Sequence, residues 1–238
     1  MNTMTPPRPG PAAANAAPAN APAAPGRGRL VNDAPMRMFH WLFALSFVGA
    51  YLSADSEHWR LVHVVLGYTV AGLLAFRVVY GLVGPRPYRL GTMGRKVSGA
   101  WAWLKTVRSA WATGGVGSAG FWRQLPVHAM AVSLVALLAV VLPLTLSGYG
   151  SFHEWGGEVF EALHEFFGNT ALSLVGVHLA LLAGQSLWRQ KNMALPMLTG
   201  RLEGRGPDLM AHNRVWLAVL LLAGVLAYIG WEVYSAWL

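Results

Sequence analysis

The sequence predicts an all-α membrane protein, on its composition and on the length and number of its apolar runs. Of the 238 residues, 55% are hydrophobic and 12% charged, and the mean hydropathy is +0.42. A chain so poor in charge cannot cover a water-facing surface with polar groups. Five apolar runs reach or approach bilayer-spanning length: Pro35 to Leu52, Leu61 to Leu82, Leu125 to Leu146, Val159 to Leu187 and Arg214 to Tyr234. The first is the shortest, near the lower end of the usual range of about 17–25 residues. Backbone groups in hydrocarbon must satisfy one another, so each run is expected to be a helix. The predicted architecture is a four-helix transmembrane bundle with a fifth, C-terminal transmembrane helix.

Residues 1–30 are rich in Pro, Ala, Asn and Gly, without apolar periodicity, and read as a disordered tail. No apolar core with a small-residue cleavage site precedes the first run, so no cleavable signal peptide is expected. Asp33 is placed as the N-cap of the first helix, with Pro35 inside its first turn. Residues 31–200 form the bundle. Within them, Arg95 to Trp111 sets basic residues among Val97, Trp101, Leu104 and Val107 at helical spacing, the pattern of an interfacial helix. Thr113 to Ser118 reads as a flexible connector. Residues 201–238 read as a linker and the extra helix. Trp59, Trp122, Trp155, Trp188, Trp231 and Trp237 cluster near run ends, as an interfacial belt does.

The basic residues set the orientation. Seventeen of the eighteen Lys and Arg fall in the tail, the second loop and the fourth loop, leaving only Arg60 on the other side. The third loop carries Glu154, Glu158, Glu161 and Glu165 and no basic residue. The positive-inside rule then gives a cytoplasmic N-terminus and, with five spans, a C-terminus outside. The pI near 10.3 is explained by the anionic inner leaflet and requires no nucleic acid.

Cysteine is absent, which excludes disulfides, thiolate-held iron–sulfur clusters and covalent haem attachment through Cys-x-x-Cys-His. The candidate ligands are therefore imidazoles. His164 and His178 lie fourteen residues apart in the fourth run, on nearly one helix face and about 21 Å apart along it. His63 opens the second run at the level of His164, and His40 lies in the first run at the level of His178. Any one of these histidines can be explained by packing, but four matched by depth point to ligands. Two facing imidazoles with no acidic third ligand suit the axial positions of a haem iron better than a tetrahedral zinc site. Gly67 and Gly168, one turn from His63 and His164, would leave room for a flat macrocycle. His58, His153 and His212 read as solvated loop residues. His128 is open between a packing role, contact with a quinone, and an exchange of roles with His40.

Several motifs combine to resemble a family: Arg37-x-x-His40-Trp41, His63-x-x-x-Gly67, Gly148-Tyr149, Glu161-x-x-His164-Glu165 with His178, and Asn192-Met193-x-x-x-Met197-x-Thr199-Gly200. From about Arg37 to Gly200 the chain resembles the bacterial cytochrome b561 and nickel-hydrogenase cytochrome b family. The resemblance implies a four-helix bundle holding two haem b, ligated by His40, His63, His164 and His178. It also implies electron transfer between membrane quinone and a redox partner. The fifth run and the Ala/Pro tail depart from the pattern.

The expected function is electron conduction between the quinone pool and a periplasmic redox protein or enzyme subunit. Arg77, fourteen residues from His63 on about the same face, is a candidate propionate contact at the inner level; ordinary snorkelling to headgroups is the alternative. Arg37 and Arg60 are similar candidates at the inner and outer levels. A quinone site is expected at the cytoplasmic end near His128, Arg37, Lys191 and Asn192, with His58, Glu57, His153 and Glu154 as the outer alternative. Two rival readings are a membrane anchor for a periplasmic oxidoreductase such as a hydrogenase, and a haem-free protein whose histidines bind metal ions.

Overall fold

The computed structural model describes residues 28–112, 124–204 and 206–238. The expected tail up to residue 27, the connector Thr113 to Ser118, and Trp122 lie outside the described residues. The architecture is helical throughout, apart from a short antiparallel pair, β1 (Arg29–Leu30) and β2 (Arg201–Leu202).

Helix α1 (Ala34–Leu52) starts where the Asp33 carboxylate accepts a hydrogen bond from the Met36 amide (3.3 Å), with Pro35 in the first turn. It ends at Ser53, whose hydroxyl donates to the Gly49 and Ala50 carbonyls. A single 3₁₀ turn over Glu57–Trp59 leads into α2 (Arg60–Val83), which stops at Gly84, where a Cβ would lie 2.2 Å from the Tyr80 carbonyl oxygen. Helix α3 (Leu90–Ala112) begins five residues before the expected interfacial segment and leaves Trp101, Leu104 and Trp111 exposed, as an interfacial helix would.

Helix α4 (Leu125–Phe152) runs six residues beyond the expected end at Leu146. Helix α5 (Glu158–Arg189) carries Glu158 and Glu161 in its first turn and Arg189 in its last, complementing the helix dipole, and closes with Gln190 in the left-handed conformation (φ 50°). The short α6 (Leu195–Thr199) ends at Gly200 (φ 77°), and α7 (Val215–Ser235) completes the chain.

Among the described residues, four helical segments are long and apolar enough to cross a membrane: residues 57–83, α4, α5 and α7. The first expected span is not among them. Its nineteen residues are long enough, but Arg37, His40 and Trp41 dilute its apolar character.

Helix α1 packs along α2 and α7, α2 also meets α4, and α4 lies against α5 for much of its length. The extensive backbone contacts of α5 are with α4; toward α1 and α2 its contacts are marginal at most. A core layer of Phe47, Val70, Leu74, Val140, Val141, Leu144 and Ala171 joins α1, α2, α4 and α5. A second cluster, Met36, Phe39, Leu73 and Tyr80, takes Leu217, Leu221 and Val225 of α7 against α1 and α2.

The basic end of the bundle is tied together by long-range polar contacts. Asp33 is fully buried and accepts from the Tyr80 hydroxyl and from Arg214 (3.4 Å), while its own amide donates to the Tyr88 hydroxyl (3.2 Å). Burial and the nearby Asp33 charge push the Tyr88 phenol well above its ordinary pKa. The Gly200 carbonyl accepts from the Val31 and Asn32 amides, and Leu30 is fixed by the Asp208 carboxylate (2.6 Å). The chain after Gly200 is thus anchored to the start of α1.

Candidate functional site

The four depth-matched histidines come from three helices. At the acidic end, the rings of His63 (α2) and His164 (α5) stand 5.9 Å apart between centroids, at 89° to each other. Each ring is oriented by a backbone carbonyl: His63 Nδ1 lies 2.8 Å from the Ala50 oxygen, and His164 Nδ1 lies 3.0 Å from the Leu144 oxygen. A carbonyl oxygen can only accept, so both Nδ1 atoms carry the proton and both Nε2 atoms keep a lone pair for a metal. Ala50 lies in the last turn of α1, where carbonyls lack helical partners, so its second bond disturbs nothing.

Leu144 is different, because it lies inside α4, where the residue one turn on normally covers the carbonyl. That residue is Gly148. A Cβ there would meet His164 Cε1 at 2.8 Å and Nδ1 at 2.9 Å. The missing side chain is what lets the imidazole reach the Leu144 oxygen. The Gly148-Tyr149 pair was visible in the sequence, but its contact with His164 was not predicted.

At the basic end, His40 (α1) and His178 (α5) are within electrostatic reach of each other. The Nδ1 atoms of both are buried, and neither has a hydrogen-bond partner among the described residues. An unpaired buried ring nitrogen is costly, and a ring without a protein partner is free to turn toward a ligand. The two pairs are separated by the core layer: Ala171 lies seven residues from both His164 and His178, and is 1% exposed.

At the acidic end the arrangement would accommodate a haem: two imidazoles holding one iron at bonds of about 2.0–2.1 Å would have ring centroids roughly 6 Å apart, and those of His63 and His164 are 5.9 Å apart. Gly67 faces open space, and a Cβ at Gly168 would meet only Leu144, at 3.9 Å. No group of three or more His, Asp or Glu side chains among the described residues suits a metal ion alone, which weighs against a zinc-type centre.

The other candidates take different places. Arg77 is buried, at 5% exposure, rather than reaching to the headgroups; its Nη2 donates to Met93 Sδ (2.7 Å), and its buried Nη1 has no partner among the described residues. Arg37 donates from Nη1 to the Leu198 carbonyl (2.7 Å), and its Nε is buried and unpartnered among the described residues. Arg60 is exposed and pairs loosely with Glu57 at 3.9 Å. His128 packs against Trp103 of α3, with ring centroids 5.5 Å apart, and Asn192 caps the Ala194 amide. A cavity of about 660 Å³ opens between α4 and α5 at the basic end, lined by Leu125, Pro126, Val177, Leu181, Gln185 and Trp188. Gln185 is buried there and donates to the Pro126 carbonyl (3.2 Å). Sequence reading did not single it out, because a lone Gln near a helix end carries no motif.

No curated protein and no solved structure matches the chain. The family model described as prokaryotic cytochrome b561 matches residues 31–200, which contain all four histidines and Arg37 and Arg77. The match sets aside the haem-free reading. The chain belongs to the prokaryotic cytochrome b561 family of multi-pass membrane b-type cytochromes that transfer electrons.

Proposed function

We propose that the protein is a di-haem cytochrome conducting electrons across the bacterial inner membrane, between the quinone pool and a periplasmic redox partner. The observation that supports this reading is the close facing of His63 and His164, with the buried, unpartnered Nδ1 atoms of His40 and His178 on the other side of an apolar layer. Haem held there by paired histidines would supply one-electron exchange.

His63 and His164 are assigned as the outer pair, their rings fixed by the Ala50 and Leu144 carbonyls. His40 and His178 are the inner pair. The unpaired Nη1 of Arg77 and Nε of Arg37 supply buried donors for carboxylate groups at the inner level. Val70, Val141 and Ala171 keep water out between the levels. Helix α1 packs along α2 and α7, which supports reading it as a fifth span despite its diluted apolar character.

The basic end is read as cytoplasmic, by the positive-inside rule. The exposed Glu154, Glu158, Glu161 and Glu165 then face the periplasm and suit a basic partner, whether a soluble redox protein or an oxidoreductase subunit. The cavity beside Gln185 has the size and apolar walls of a site for a quinone ring. Reduction of the purified cytochrome by a quinol, followed by visible absorption in nanodiscs, tests the reading. Gln185→Leu should slow reduction about tenfold with the oxidised spectrum unchanged. Equal rates would remove the quinone from this cavity, and no reduction of the wild type would remove quinol as the donor.

A further inference from the structure

Beyond the matched segment, α7 brings a carboxylate to the acidic end of the bundle. A cavity of about 370 Å³ lies there between α2, the end of α4 and α7, lined by Arg60, Val64, Tyr68, Phe152, Tyr228 and Glu232. It opens on a different face of α2 from His63, since Val64 and Tyr68 lie about 100–140° around the helix from it. The cavity is therefore separate from the histidine pairs.

Glu232 is half-buried in this apolar surround, and its charge acts on both the Tyr68 and the Tyr228 phenols. Among the described residues it has no ion-pair partner; the one cation lining the cavity, Arg60, lies 3.9 Å from Glu57 instead. A half-buried carboxylate without an ion-pair partner attracts a cation. Three aromatic rings around it favour a cation over an anion. The two phenol oxygens and the carboxylate are hydrogen-bond acceptors, which match the three N–H groups of a primary ammonium and are wasted on a quaternary one. Arg60, exposed and lining the same cavity, is the guanidinium available to a phosphate there.

We infer that this cavity binds the headgroup of a phospholipid bearing a primary ammonium, a phosphatidylethanolamine, with Glu232 on the ammonium, Tyr68 and Tyr228 beside it and Arg60 on the phosphate. The acyl chains lie along the cleft between α2 and α7 and join the last helix to the bundle. The site explains why an acidic residue is placed in the final turns of a helix that is otherwise apolar apart from its tyrosines and tryptophans.

Native mass spectrometry of the delipidated holoprotein, titrated separately with phosphatidylethanolamine, phosphatidylcholine and phosphatidylglycerol, tests the assignment. One phosphatidylethanolamine should bind about tenfold more tightly than either of the others. Glu232→Gln should abolish the preference. Tyr228→Phe, a milder change, should reduce it several-fold, and Glu158→Gln, at the same end of the bundle but outside the cavity and without contact to Arg60, should leave it unchanged. Preference for phosphatidylglycerol would overturn the inference, as would equal binding of the three lipids or a Glu232→Gln variant that discriminates as the wild type does. If Glu232→Gln does not fold, an unchanged preference in Tyr228→Phe overturns it.

Discussion

Gly148 and His164 meet so closely that a single methyl group on the first would strike the ring of the second, at 2.8 Å from Cε1. The contact links helix α4 to ligand orientation, because the same gap gives His164 access to the Leu144 carbonyl. Gly148→Ala should therefore empty the outer site and leave the inner one filled, halving the haem content with little loss of helicity. Haem analysis beside circular dichroism checks this. Full haem content would show that the ring tolerates the methyl group.

Single histidine variants should divide the sites in the same way. His63→Ala or His164→Ala should remove the outer component of a redox titration, and His40→Ala or His178→Ala the inner one, because under the proposed assignment each change takes one ligand from one haem. If His128→Ala empties a site while His40→Ala does not, the inner pairing is wrong. The packing of His128 against Trp103 argues that His128→Ala keeps both components.

Asp33 should matter more to stability than to haem chemistry. Its carboxylate caps α1 and accepts from Tyr80 and Arg214, all at a buried position. Asp33→Ala removes a helix cap and leaves the Tyr80 hydroxyl without its acceptor, a loss of about 2–4 kcal/mol. Tyr80→Phe, which deletes only one hydrogen bond, should cost about 1 kcal/mol. Thermal unfolding in detergent gives both values, and equal effects would contradict the hub.

Gly200 carries a backbone requirement. It is left-handed, and a Cβ would lie 2.6 Å from the Asn32 carbonyl oxygen. Gly200→Ala should cost about 1–2 kcal/mol from the conformation alone, and more from the clash. The damage should appear first at the basic end, as faster amide exchange of Val31 and Asn32, whose amides donate to the Gly200 carbonyl.

The helices were legible in the sequence because their apolar runs are long and continuous. Apolar runs gave α2, α4, α5 and α7 to within a few residues, except where α4 continued past Leu146 through Gly148 and Gly150. Those glycines suggest a break, yet each makes room for a ring from α5: His164 against Gly148, and Phe160 against Gly150. The pairing of His63 with His164 followed from depth alone. Contacts set by chain crossings were not legible. Nothing local in Arg214 announces its reach to Asp33, 181 positions away. Arg77 could be placed at the inner level by counting turns, but its burial against Met93 depends on where α3 lies.

Haem stoichiometry tests the two proposed sites per chain most directly. Pyridine haemochrome analysis of the purified protein, set against protein concentration from amino-acid analysis, should give two haem b per chain, all low-spin and unreactive toward carbon monoxide. One haem per chain, or a high-spin fraction that binds carbon monoxide readily, would contradict the pairing of His63 with His164 and of His40 with His178.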